Sequence, residues 1–481
     1  MSPTTGPRGR DVGEEMRRAA QRGAERHQSL PGLLVAMGAA AILMIGFIVL
    51  DYHLDQADHR LFKILGGLLA FAGILSQPHF GLLLLPIASP FLPWIPPAPV
   101  PGLNPVNLLL FSIFGTFALG RIARRQPVFR RGRLDAWIVG LLLLAAVSIL
   151  RGAAFPTGLG FDAASAGLVL FRSATTFATY FIVLSMSRGL PDRRRIAWAV
   201  MLGLLAESIV TIMYGRNGSG GRALGTLGQS NELGAFLALF SVVAVALLAA
   251  TRNPFGWTIL FGTFIAGSIG LFMSLSRGSM VALLISLAVV CWRTSRTLFA
   301  VLVVALLASP LWAPDYLKER ITGSQVAVEG TDDVNIDAAA EARVQTWRSI
   351  MEVVQSHPLD GVGWTGLGYV LPDIGTELGL EEVKDSAHNT FLRMLGEMGI
   401  LGLILFSALL WKCWSISDQA MKRARTPFDR ALAIGVGGAV ISMAVSCAFG
   451  DRFFNVIIAS NFWVLMALVE HSLHESYEAH T

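Results

Sequence analysis

The sequence predicts an all-α polytopic membrane protein with about 14 transmembrane helices and one long, partly helical external loop. Composition is the first reason: 53% of the 481 residues are hydrophobic and only 15% are charged, against about 25% charged in an ordinary soluble chain. Unbroken apolar runs such as Leu233–Ala250 and Met280–Trp292 are the second. A membrane β-barrel would instead alternate over strands of about 10 residues. The distribution of lysine and arginine is the third, because it divides the loops into two sets.

In chain order, residues 1–30 are polar and arginine-rich and read as a disordered basic tail. The apolar stretch 31–50 follows without an A-x-A-like cleavage site. Spans are expected at 32–50, 61–76, 79–95, 105–121, 135–151, 166–187, 196–214, 230–250, 256–274, 277–292, 297–313, 389–412, 431–449 and 453–471. They group into an N-terminal bundle over 31–313 with about 11 spans, a loop over 314–388, and about three spans over 389–471, before a tail at 472–481. With the N-terminus inside, the loops 121–133, 187–195, 251–253, 292–296 and 412–430, together with the tail, hold about 24 of the 38 lysines and arginines. Both termini then lie inside and the loop 314–388 lies outside.

The net charge of +5 carries no nucleic-acid signature, since the arginine clusters sit in short loops without interleaved aromatics. Membrane lipid head groups are their natural partners. Cys291, Cys413 and Cys447 lie in or beside apolar runs and form neither a ligand pattern nor a disulfide framework. No metal site is expected: the histidines show no H-x-x-x-H pair near the candidate residues, and the acidic residues of the loop lack a calcium-loop pattern.

Ionisable groups at the outer membrane boundary are the functional candidates, because the arginine-poor side is where charge needs a reason. In GSGGRALGTLGQSNELGAF (218–236), glycines, Arg222 and Asn231 precede an apolar run, and backbone N–H groups there can approach a phosphate. The alternative is a flexible loop with a helix capped by Ser230. In MSLSRGSMVALL (273–284), Arg277 stands at a turn between two spans. A guanidinium matches phosphate oxygens, although an interfacial arginine can also simply snorkel. In the loop, Trp347, Ile350, Met351 and Val354 follow helical spacing, and Arg343 lies one turn before Trp347. A solvated surface arginine is the plain alternative there. In DSAHNTFL, Asp385 or Ser386 is the expected N-cap, which puts His388 in the first helical turn. The helix dipole disfavours the imidazolium there, leaving a neutral ring able to accept a proton. Asn389 is a supporting residue, to orient His388 or to bind hydroxyls. Arg393 and Glu397, four residues apart, read as a structural pair.

Four ordered stretches, GRALGTLGQSNELGAFLAL (221–239), SLSRGSMVALLIS (274–286), RVQTWRSIMEVVQSHPLDGVGWTGLG (343–368) and DSAHNTFLRMLGEMGILGLILF (385–406), carry a resemblance. Together they resemble the O-antigen ligase and O-antigen polymerase superfamily of bacterial envelope glycosyltransferases. The resemblance implies a GT-C-type fold in the bacterial inner membrane, with cytoplasmic termini and a periplasmic active site. It implies transfer of a glycan from undecaprenyl pyrophosphate to an acceptor hydroxyl, with inversion and without metal, cofactor or nucleotide sugar. The family's arginines map onto Arg277 and Arg343 and its catalytic histidine onto His388; Arg222 and Asn231 are additions from the residues themselves. The acceptor is a glycan or lipid A-core, and a chain-length regulator or export machinery would be further partners. Two alternatives stay open: a protein O-oligosaccharyltransferase of the same superfamily, and a flippase for lipid-linked oligosaccharides.

Overall fold

A computed structural model describes residues 73–94, 105–154, 160–215, 221–308, 325–327, 334–336, 338–379 and 386–478. The chain divides into two units, residues 1–65 and 66–481, and every described residue lies in the second. The tail 1–30, the span at 32–50 and most of the span at 61–76 lie outside the described residues.

The described chain is almost entirely helical. The helices are α1 (Pro78–Ala88), α2 (Pro105–Ala123), α3 (Asp135–Ala154), α4 (Ala163–Met186), α5 (Leu190–Tyr214), α6 (Ser230–Leu248), α7 (Pro254–Ser274), α8 (Arg277–Thr294) and α9 (Arg296–Leu307). Two short antiparallel strands, Gln325–Ala327 and Val334–Ile336, then precede α10 (Ala338–Ser356), α11 (Leu367–Glu377), α12 (Thr390–Lys422), α13 (Pro427–Ala448) and α14 (Val456–Glu478). Among the described residues, nine helices are long and apolar enough to cross a membrane: α3 to α8 and α12 to α14. Shorter apolar helices cover Pro78–Phe91, Asn107–Ala123 and Arg296–Leu307. The protein is thus an all-α polytopic membrane protein. Two helices run past their expected ends: α12 continues to Lys422 and α14 to Glu478. Hydropathy marks where a segment leaves the apolar layer, whereas backbone hydrogen bonding continues into water.

Local chemistry sets the helix starts. The Asp162 carboxylate accepts from the backbone N–H groups of Ala164 and Ser165, Asn253 accepts from Phe255, and the Thr426 hydroxyl accepts from Asp429. Proline stands in the first turn of α1, α7 and α13, where its missing N–H costs nothing. Helices α6, α13 and α14 form the centre of the bundle, with α3 and α7 at the rim. Ion pairs gather the arginine-dense stretches at one end: Arg130 pairs with Glu478, Arg193 with Asp429 and Glu475, and Arg293 with Asp418. A buried ion cluster closes that end. Arg193 donates to Asp429 (Nε–Oδ1 2.9 Å) and to Glu475 (Nη1–Oε2 2.6 Å), with the side chains of Arg193 and Asp429 almost wholly enclosed.

At the other end, α12 is not one continuous helix. Gly399 breaks it with φ 65° and ψ −165°, a conformation open essentially to glycine alone. The break exposes backbone groups, and the segment 358–363 takes them. Val362 N–H donates to Gly396 O (3.0 Å), Gly363 N–H to Glu397 O (2.9 Å) and Ile400 N–H to Pro358 O (2.9 Å). The sequence stretches HPLDGVG and GEMGILG therefore belong to one another: the first fills the hydrogen-bonding gap in the second.

Helices α10 and α11 pack on the outer part of α12 through a small apolar cluster of Ile350, Val353, Val362, Leu367, Val370, Leu371 and Ala387. The buried stripe of α10 differs from the expected one. Ala342, Thr346, Ser349, Ile350 and Val353 face inward, Trp347 is half-buried and Met351 is exposed. Hydroxyls are tolerated on the inner face because Thr346 and Ser349 donate back to the carbonyls of Ala342 and Gln345.

Candidate active site

Four arginines line one pocket at the end of the bundle opposite the arginine-dense loops: Arg222, Arg277, Arg343 and Arg452. Each comes from a different part of the chain. Arg277 opens α8, directly after a tight turn from α7 in which Leu275 takes the left-handed φ of 52°. Arg222 precedes a short 3-10 turn, Gly225–Leu227. Its Nε donates to Ser274 O (3.0 Å) and its Nη2 to Asn231 Oδ1 (2.7 Å), so it ties the start of α6 to the end of α7. Asn231 is itself a lining residue. Arg343 reaches the pocket from the first half of α10, and Arg452 from the connection 449–455 between α13 and α14. Ser446 of α13 and Phe449 of the connection complete the wall, and the buried Ser446 hydroxyl has no hydrogen-bond partner among the described residues.

So much positive charge around one cavity favours an anion. Burial holds the Arg452 guanidinium below its ordinary pKa, and the charge of Arg343 pushes the same way, against the opposing carboxylates of Glu232 and Asp451. An entering phosphate would relieve both effects, since it supplies the hydrogen bonds and opposite charge that a buried guanidinium lacks.

Below the 3-10 turn, Glu207 of α5 is fully enclosed and fixes the loop that carries Arg222. Its carboxylate accepts from the Thr226 backbone N–H (2.9 Å) and the Thr226 hydroxyl (2.5 Å). The expected cap of α6 by Ser230 is not formed. Gln229 occupies the N-cap position and Ser230 is the first helical residue.

Like Asn389, His388 is not in the wall of this pocket. Its placement also differs from the expected first helical turn. Asn389 is the N-cap of α12, its Oδ1 accepting from Phe391 N (3.0 Å) and Leu392 N (3.2 Å). Asn389 wins the cap because Ser386 is engaged elsewhere, donating to Asp451 Oδ2 (3.0 Å). His388 therefore stands just outside the helix with φ 47°, an uncommon conformation for a non-glycine residue. Its neighbours hold it there. The Trp347 indole N–H donates to Ala387 O (2.9 Å), and the Thr390 hydroxyl donates to Gly450 O (3.0 Å). The helix that presents Arg343 thus also anchors the residue before His388, and the connection that presents Arg452 anchors both sides of it. The amide of Asn389 spends its oxygen on the cap, directly after His388.

Arg393 and Glu397 form the expected structural pair (Nε–Oε1 3.1 Å), and the guanidinium also lies over the Trp364 ring at 4.9 Å. Arg452 was not among the residues expected from sequence. Its signal was present: by loop parity the stretch FGDRFF (449–454) falls on the arginine-poor side, as Arg277 does.

The model of the family described as O-Antigen ligase matches residues 261–407. No curated protein matches the chain. A chain from a solved structure titled "Structural coordination of polymerization and crosslinking by a peptidoglycan synthase complex" is similar at 16% identity and a TM-score of 0.38, covering 71% of this chain and 98% of that one. A score that low carries no argument about fold or function. The segment matched by the family model contains Arg277, Arg343 and His388. The match of residues 261–407 to the O-antigen ligase family supports, in general terms, a glycosyltransferase of the ligase and polymerase type.

Proposed function

We propose that the protein is an inverting, metal-independent glycosyltransferase of the bacterial inner membrane. It takes a glycan from undecaprenyl pyrophosphate and joins it to an acceptor hydroxyl on the periplasmic face. The observation that carries this reading is the convergence of Arg222, Arg277 and Arg343, with Arg452, on one pocket. In the proposed reaction the acceptor oxygen attacks the anomeric carbon from the face opposite the diphosphate. The bond from that carbon to the phosphate oxygen breaks, and undecaprenyl pyrophosphate leaves with the electron pair. Arg277 and Arg343 stabilise the charge gathering on the leaving group, the kind of preorganised electrostatic term that dominates many such sites. His388 accepts the proton from the acceptor hydroxyl. A pocket confined to one end of the bundle suits an enzyme better than a transporter, whose site is expected near mid-membrane between related halves.

The test is transfer in membranes containing the full-length protein and a lipid-linked glycan donor. His388→Ala should lower turnover by at least about 100-fold, the usual contribution of a general base, while leaving the amount of protein in the membrane unchanged. Normal product from that variant removes the histidine from the mechanism. Loss of transfer on chelation, restored by Mg²⁺ or Mn²⁺, removes the arginine-only account. The acceptor is separated in a deletion strain: altered lipopolysaccharide banding marks ligation or O-antigen polymerisation, loss of extracellular polysaccharide marks its polymerisation, and unglycosylated surface protein marks transfer to serine or threonine.

A further inference from the structure

Arg452 lies outside the segment that matches the family. Its backbone is firmly placed. The Phe449 side chain covers Gly278 so closely that a Cβ there would come within 2.8 Å of it, which ties the connection to the start of α8 beside Arg277. Gly450 O accepts from Thr390 and Asp451 Oδ2 accepts from Ser386, which ties it to the segment bearing His388. The guanidinium itself lies flat across Gly450, where a Cβ would sit 2.7 to 2.8 Å from its atoms.

The side-chain contacts are weak by comparison. Arg452 Nη1 reaches Gln229 Oε1 at 3.3 Å and Glu232 Oε1 at 3.5 Å. A well-formed charge-assisted hydrogen bond to a carboxylate is about 2.7 to 2.9 Å. The residue is only 6% exposed, so water cannot make up the difference, and a buried charge with long contacts is incompletely compensated. Glu232 is the more exposed of the two side chains, at 26% against 8%, and it also has a hydrogen bond with Asn455, so its carboxylate has a second partner when the arginine leaves it.

We propose that Arg452 is a fourth ligand for the donor's diphosphate. At rest it leans on Glu232 and Gln229, and it exchanges those long contacts for a phosphate oxygen when the donor enters. The inference rests on the reading of the pocket as a lipid-diphosphate site. It adds a residue that reaches the phosphate from the α13–α14 connection and a carboxylate that competes with the phosphate for it.

The experiment uses the full-length protein in lipid nanodiscs, with inorganic pyrophosphate and undecaprenyl pyrophosphate as probes, titrated calorimetrically. Arg452→Gln should weaken binding of both by about 10- to 100-fold, the worth of one charged hydrogen bond. Glu232→Gln should tighten binding about 3-fold or more, because the competing carboxylate is gone. The double variant should bind as weakly as Arg452→Gln alone. Wild-type binding by Arg452→Gln, alongside weak binding by Arg277→Gln, would overturn the role of Arg452 and leave the pocket reading standing. Unchanged binding by both variants would instead refute the pocket reading. Should Arg452→Gln fail to accumulate, the sign for Glu232→Gln decides, and weaker binding there overturns the proposal.

Discussion

Replacing Gly399 with alanine tests the joint between loop and membrane. The native backbone at 399, with φ 65° and ψ −165°, would cost an alanine about 1 to 3 kcal/mol in strain. The added Cβ would also overlap the carbonyl of Leu359, a backbone atom that cannot rotate away. Relief requires the segment 358–363 to lift off. That movement breaks the three backbone hydrogen bonds between it and α12, each worth about 0.5 to 1.5 kcal/mol. The sum is about 2.5 to 7.5 kcal/mol, comparable with the 5 to 15 kcal/mol that stabilises a typical domain. The bundle keeps its own core, so the expected result is undocking of α10 and α11 with the membrane helices intact. A loss of even 3 kcal/mol shifts that docking equilibrium by roughly 150-fold. Limited trypsin digestion reads the change directly, because Arg343 and Arg348 lie on α10. Cleavage there should accelerate at least about 10-fold, and glycan transfer should fall with it. Gly262→Ala, at a position with open space around it, is the control and should change neither. A Gly399→Ala protein that resists trypsin like the wild type and transfers normally would refute the reasoning.

Two further outcomes follow from other contacts. Asn389→Ala removes the cap that accepts from Phe391 and Leu392; it should cost about 1 kcal/mol in thermal unfolding and lower transfer, while Asn389→Asp, which can cap equally, should restore stability. At the far end, Asp429→Ala leaves Arg193 buried without its main partner; it should destabilise the protein by about 3 to 5 kcal/mol, measured as a lower melting temperature in detergent, yet leave pyrophosphate affinity of the folded fraction unchanged.

Much of the site was legible because membranes penalise charge. Arg277 stood out as an arginine on the wrong side for the positive-inside rule, and the same logic pointed to the glycine-rich stretch that carries Arg222 and Asn231. Arg452 obeyed that logic too, but a short connection between two spans offers no periodicity or motif to draw attention to it. Competition between capping groups was not legible. Ser386 and Asn389 can each cap a helix, and only the partner Asp451, some sixty residues later in the chain, removes Ser386 from the contest. Helical spacing correctly indicated α10, yet its inner face was misjudged by about one residue. Hydrophobicity favoured Met351 over Thr346 and Ser349, whose hydroxyls are satisfied within the helix. The break at Gly399 was hidden for the opposite reason. Glycine is common inside membrane helices, so GEMGILG reads as a close-packed helix until the segment that completes its hydrogen bonds is known.

That break redraws the boundary along which the protein can be divided. Hydropathy puts the frontier between water and membrane near residue 388, and a chimera designed from sequence would be cut there. The cluster containing Val362, Leu367 and Ala387 instead joins α10 and α11 to the outer piece of α12, and continuous helix resumes only after Gly399. The transplantable unit is therefore residues 338–399, histidine and cap included. A graft that ends at 388 would separate the donor's loop from the helix piece it was shaped to fit.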